Sequence, residues 1–161
     1  MTPVSDNKTL LALEDKFGES VLESTVDRGD AVAIIASDTL HEVIAWLRDE
    51  QDFKMLSDLC GVDYLPREPR FEVVYQLHAM GRGERIRLRV QLDGKTPEVA
   101  SISDLYPVAD WLERETWDMF GIMFSGHPNL KRILMYEPFE GHPLRRDYPI
   151  NRRQPLIGPR N

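Results

Sequence analysis

Glu113, Glu115 and Asp118 crowd into the run Glu113-Arg114-Glu115-Thr116-Trp117-Asp118. On a helix, Glu115 and Asp118 are three apart and share a face, while Glu113 points elsewhere. Two such carboxylates could divide general acid and base roles, with Trp111 and Trp117 excluding water and raising a pKa. The plainer reading is the polar end of an amphipathic helix, with Arg114 pairing to Asp110 or Asp118 at i±4. Two histidines follow, His127 and His142, each within Gly-His-Pro. Asp118, Glu137 or Glu140 could complete a metal site with them, but the spacing follows no zinc pattern. The alternative is a turn in which Gly permits an unusual φ, Pro stiffens the chain and His hydrogen-bonds a neighbour. The last group is basic: Arg145-Arg146-Asp147 and Arg152-Arg153, interleaved with prolines in a chain of net charge −7. That pattern suits carboxylates on a partner protein better than nucleic acid, which asks for a basic chain or an aromatic stacking platform.

Redox motifs are missing. An Fe–S cluster takes four cysteine ligands, and Cys60 is the lone cysteine. There is no Cys-x-x-Cys-His for haem attachment and no G-x-G-x-x-G after a strand. The single cysteine also rules out a disulfide within the chain and fits a reducing compartment. The longest wholly apolar run, Ala31–Ala36, is far short of a bilayer span, and the opening MTPVSDNKTL lacks the pattern of a secretory signal. Charge is distributed unevenly. Residues 1–120 hold 13 basic and 24 acidic side chains, whereas residues 121–161 hold 7 basic and 3 acidic ones. An acidic body with a basic extension suits docking of the extension on an acidic surface, either a partner's or the body's own.

The elements that must position these residues are read from periodicity. Lys8–Phe17 predicts a helix ended by Gly18, and Val21–Val26 and Ala31–Ala36 predict strands joined by Arg28-Gly29-Asp30, read as a tight turn rather than an adhesion motif. Leu40, Val43, Ile44 and Leu47 predict an amphipathic helix capped by Ser37 or Asp38. Met55–Tyr64 is ambiguous, since Leu56 and Leu59 fit a helical turn. Phe71–Met80 and Arg85–Leu92 form the best hairpin, with one face core and the other carrying Arg85, Arg87 and Arg89. A strand is expected at Val99–Ile102 and a helix over Leu105–Phe120, with Pro107 in its first turn and Gly121 as its stop. The fold class is therefore α+β: a small mixed sheet with helices packed on it, followed by a long irregular C-terminal extension. The expected division is residues 1–120 as the α+β domain and 121–161 as a tail wrapping a partner. The tail is too apolar for a solvated segment and too irregular to pack alone.

Glu113-Arg114-Glu115, Trp117-Asp118-Met119-Phe120-Gly121, Gly126-His127-Pro128, Lys131-Arg132-Ile133-Leu134 and Phe139 through Pro149 stand in the order and spacing of one family's signature. The chain resembles the C, or 30 kDa, subunit of respiratory complex I, the proton-translocating NADH:quinone oxidoreductase. The signature is specific and contains no departure, whereas the first hundred residues match in general layout only. The resemblance implies a cofactor-free structural and assembly subunit of the peripheral arm, without catalytic residues of its own. In that family the subunit packs against the 49 kDa (D) subunit near the Fe–S subunits, in a hetero-oligomer whose Fe–S clusters, FMN and quinone belong to other chains. The resemblance further implies a peripheral place on the cytoplasmic face of a bacterial inner membrane, or the equivalent matrix side. The residues expected at the partner interface are Glu113, Arg114, Glu115, Asp118, His127, Arg132, His142, Arg145, Arg146 and Asp147. The alternative is the same role in a related complex fed by ferredoxin, reduced deazaflavin or hydrogen. A third reading is a free-standing hydrolase using Glu115 and Asp118.

Overall fold

The computed structural model describes residues 7–155. Helix α1 (Lys8–Phe17) begins where the Asn7 side chain accepts from the Leu10 N–H, buries Leu10 and Leu13, and stops at Gly18. Strands β1 (Val21–Asp27) and β2 (Asp30–Ile35) pair antiparallel about the Arg28-Gly29 turn, in which both residues have positive φ. Helix α2 (Leu40–Asp49) buries Leu40, Val43, Ile44 and Leu47 as its periodicity requires. Its N-cap is Thr39, without a side-chain capping bond, rather than Ser37 or Asp38. The Thr39 hydroxyl instead donates back to the Ala36 carbonyl.

The ambiguous segment is strand β3 (Met55–Asp63). Its apparent helical spacing comes from a bulge. The register slips between Leu56 and Asp58, so Leu56 and Leu59 lie opposite Leu77 and Tyr75 and both face the core. Strands β4 (Phe71–Ala79) and β5 (Glu84–Leu92) form the expected hairpin, and β5 pairs parallel with β2. The sheet order is β1-β2-β5-β4-β3, a mixed sheet, as the α+β reading required. One face carries Phe71, Val73, Tyr75, Leu77, Ile86, Leu88 and Val90 into a single core shared with α1 and α2. On the other face Arg89 holds Glu72 bidentately at 2.7 and 2.8 Å, and Arg87 donates to Gln76.

A short strand β6 (Glu98–Ala100) precedes α3 (Ala109–Phe120). The helix starts four residues later than its periodicity suggests, because 105–109 close as turns onto the Ile102 and Tyr106 carbonyls. Gly121 ends it in the left-handed conformation. A strand with no sequence signal follows. β7 (Met123–Ser125) pairs parallel with β6 and buries Phe124, with Ile122 beside it in the core. The packed body therefore runs past residue 120, through Ser125.

Helix α3 lies along the edge strand β3, and the contact depends on a glycine. A Cβ at Gly61 would stand 2.8 Å from Phe120, 3.0 Å from Thr116 and 3.3 Å from Ile122. These are packed, buried or half-buried side chains with little room to yield. Gly61→Ala should therefore lower unfolding free energy by roughly 1–3 kcal/mol, read as a drop in urea midpoint at unchanged m-value. An unchanged midpoint would mean that α3 does not pack against β3 this closely.

Candidate functional site

Helix α3 has two buried sides. The side toward the sheet carries Glu113, whose carboxylate accepts from the Ser101 hydroxyl at 2.6 Å and from the Ile102 N–H at 2.7 Å. Glu113 is wholly buried, and no lysine or arginine among the described residues pairs with it. Burial is the main cause that pushes its pKa up, to about 7, against the lowering effect of those two hydrogen bonds. Asp104 and Asp110 add repulsion. His127 closes this corner. Its Nδ1 accepts from the Asn129 N–H, so its Nε2 carries the proton, which it donates to the Asp110 carbonyl at 3.2 Å. The first Gly-His-Pro is thus a hook on the start of α3, and its imidazole is fully covered.

The other buried side lies under the C-terminal extension and carries Asp118. One oxygen, Oδ2, accepts from three successive backbone N–H groups, Ile133 at 3.0 Å, Leu134 at 2.9 Å and Met135 at 2.9 Å. The other oxygen takes Arg132 Nη1 at 2.5 Å. Burial alone would raise this carboxyl, but the three N–H groups and the guanidinium outweigh it and hold the pKa below the usual range. Arg132 also donates to the Phe139 and Gly141 carbonyls at 2.8 and 2.9 Å, so one carboxylate organises residues 132–141. The extension then returns to the end of the helix. His142 Nδ1–H donates to the Asp118 carbonyl, the Leu144 N–H to that of Met119, and Arg145 Nε to that of Phe120 at 2.5 Å. These are carbonyls that a helix end leaves open. Gly121 permits this approach, since a Cβ there would stand 2.5 Å from both His142 and Arg145.

A second clamp holds Arg145-Arg146-Asp147 to the body. Arg70 donates bidentately to Asp63 at 2.9 and 2.7 Å and, on its other side, to Asp147 at 2.9 and 2.8 Å. Asp63 also accepts from the Leu65 and Arg146 N–H groups, both at 2.9 Å. Burial would raise the Asp63 carboxyl, but Arg70 and these N–H groups hold it down at about 2. Arg146 Nη1 donates to the Leu65 carbonyl at 2.7 Å. Sequence reasoning missed Asp63 and Arg70, whose partners are 83 and 77 residues away.

The ten residues expected at a partner surface therefore divide. The side chains of Glu113, Asp118 and His127 are sealed inside the chain. Arg114, Arg132, His142 and Arg145 point into the chain as well: Arg114 donates to the Lys131 and Arg132 carbonyls, and the others are engaged as described. Arg114 stands 4.0 Å from Asp110, and Asp118 pairs with Arg132. Glu115 and Arg146 are exposed and Asp147 is half exposed. Glu115 and Asp118 do not form a pair, since one is in solvent and the other under the extension.

The family described as the respiratory-chain NADH dehydrogenase 30 kDa subunit matches residues 33–154. The chain belongs to this family. A curated relative from Roseiflexus sp. (strain RS-1), named as the C subunit of an NADH-quinone oxidoreductase, is 48% identical over 90% of this chain and 85% of its own length. One of the same name from Citrifermentans bemidjiense is 40% identical over 95% of this chain and 96% of its own. Among solved structures, the trypsin-resistant fragment (1-134) of Nqo5 superposes with a TM-score of 0.68 at 31% identity, covering 77% of this chain and all of the fragment. A chain of the membrane-bound sulfane sulfur reductase, an archaeal respiratory membrane complex, superposes with a TM-score of 0.78 over 91% of this chain and 87% of its own; at 21% identity this likeness is one of fold. The 30 kDa family signature read from the sequence is thus made of the residues that build the two faces of α3 and the path of the extension. Among the described residues, no helix is long and apolar enough to cross a membrane.

Glu113 has a pH consequence of definite sign. Its folded pKa, about 7, lies above the ordinary 4.5, so its contribution to stability is complete below about 4.5 and is lost as pH rises through about 7. Asp63 acts oppositely and only at lower pH, its contribution being lost as pH falls from 3.8 toward about 2. Glu113→Gln keeps an acceptor for the Ile102 N–H and cannot ionise. It should flatten the stability profile between about pH 5 and 8 and raise stability at the upper end by roughly 1–3 kcal/mol. Chemical denaturation across that range checks this; an unchanged slope would mean that Glu113 ionises freely in the folded chain.

Proposed function

We propose that this chain is a cofactor-free structural and assembly subunit of the peripheral arm of a proton-translocating NADH:quinone oxidoreductase, holding the Fe–S and quinone-site subunits in fixed relation. The observation that carries this reading is the use of the signature residues. The carboxylates, histidines and arginines that could do chemistry hold α3, the body and the extension together. A chain built this way presents a rigid surface to its neighbours, and rigid placement is what electron transfer between separate centres requires. The partners that fit are the 49 kDa (D) subunit and the adjoining Fe–S subunits. The extension, with its exposed Leu134, Leu144 and Ile150, is the surface they would cover. Fe–S clusters, FMN and quinone fall to the other subunits, and a peripheral place on the cytoplasmic or matrix side of the membrane follows from the same reading.

The experiment is a separation of assembly from turnover. Asp118→Ala, which releases the extension, should lower the amount of assembled oxidoreductase on native gels of membranes from the source cells. NADH:quinone turnover per assembled complex should stay within about twofold, because the variant removes no transition-state contact. Normal assembly with turnover abolished would place Asp118 in the chemistry and end the scaffold reading. Elemental analysis of the purified chain is the companion test: a stoichiometric metal would contradict the cofactor-free assignment.

A further inference from the structure

Tyr136, Phe139 and Tyr148 gather around a cleft of about 620 Å³ on the extension, with Arg152, Arg153 and Pro155 completing its walls. The rings hold one another in place. Tyr136 meets Phe139 edge-on at 5.6 Å, and Phe139 stacks on Tyr148 at 6.1 Å. Their polar ends are tied as well: the Tyr136 hydroxyl donates to the Pro155 carbonyl, and the Gln154 amide donates to the Tyr148 hydroxyl and the Glu140 carbonyl, each at 3.0 Å. Arg152 pairs with Glu140 at 2.7 Å and lies over the Tyr148 ring. The cleft is therefore formed before anything enters it, which lowers the ordering cost of binding.

Charge narrows the occupant. Arg132, Arg145, Arg146 and Arg152 each donate to an acceptor of this chain. Arg153, which lines the cleft beside the rings, has no such acceptor among the described residues. A guanidinium beside aromatic faces selects a carboxylate next to an apolar group. The surroundings argue for a protein. Leu144 is more than half exposed and Ile150 fully so, on either side of Tyr148 in the chain. A small molecule in the cleft would leave them in water, whereas a protein surface covers them.

We propose that this cleft seats an acidic segment of a neighbouring subunit, its carboxylate on Arg153 and an adjacent apolar or aromatic side chain against Tyr136, Phe139 and Tyr148. The proposal rests on the reading of this chain as a subunit of a respiratory complex. The geometry is that of an interface anchor, in which one well-packed ring pocket and one charged pair carry much of the binding.

The test uses the full chain in its complex. A photo-reactive benzoylphenylalanine replaces Tyr136, membranes are irradiated, and the joined peptides are sequenced. The expected product links position 136 to another subunit within about two residues of an Asp or Glu. Arg153→Glu in the same chain should reduce that product roughly tenfold or more, since it sets like charges face to face. Circular dichroism of the purified Arg153→Glu chain should match wild type, because Arg153 holds nothing within the described residues. If the complex assembles but position 136 joins only residues 156–161 of this chain, lipid, or a segment without a carboxylate, the cleft proposal is overturned and the scaffold reading stands. The same holds if Arg153→Glu leaves the product unchanged. If the wild-type chain fails to co-purify with any oxidoreductase subunit, both are overturned.

Discussion

A buried carboxylate must be matched by donors or it forces the structure apart, and Asp118 is matched almost entirely by the C-terminal extension. Three backbone N–H groups and one guanidinium converge on it. The dependence runs both ways. Without the extension, the carboxylate of Asp118 loses its donors and the carbonyls at the end of α3 lose theirs. Without Asp118, residues 132–141 lose the point around which they turn. Hydrogen bonds to a charged group contribute roughly 1.5–3 kcal/mol each, comparable to a sizeable part of a domain's whole stability. This is why an irregular segment rich in Gly and Pro can follow one path without regular secondary structure.

The two faces of α3 use opposite electrostatics. Asp118 stays charged because donors surround it. Glu113, on the sheet side, has two neutral donors and acidic neighbours, and its proton is retained to about pH 7. The difference is set by surroundings rather than residue type. The Arg70 clamp adds a third arrangement, a guanidinium shared between Asp63 and Asp147. Together these polar ties fix the body, the helix and the extension as one surface that a partner could read.

Much of the body was legible in the sequence. Leu10 and Leu13, the Leu40-Val43-Ile44-Leu47 stripe, the β4–β5 alternation and Gly121 follow local rules, and the structure places them accordingly. β3 was obscured because its bulge gives a strand a three-residue spacing. β7 carried no signal because a three-residue strand is defined by its pairing with β6. The signature residues were legible as a set, but the groups that several of them bind within the chain were not. Glu113 and Asp118 read as the polar end of a helix because the Ser101 hydroxyl and the 133–135 amides that donate to them are invisible to periodicity, whereas the reading of Gly-His-Pro as a turn in which His bonds a neighbour matches the His127 bond to the Asp110 carbonyl. The basic extension does meet acidic groups, and several of them, Asp118 and Asp63 above all, belong to its own body.

The most direct test of this account is amide hydrogen exchange at Ile133, Leu134 and Met135 in the purified chain, compared with Asp118→Asn. The account predicts that these three amides are protected in the wild type at neutral pH and exchange much faster in the variant, while the amides of β4 and β5 are unchanged. Exchange of the three amides at free-peptide rates in the wild type would contradict it, since Asp118 would then not be what orders the extension.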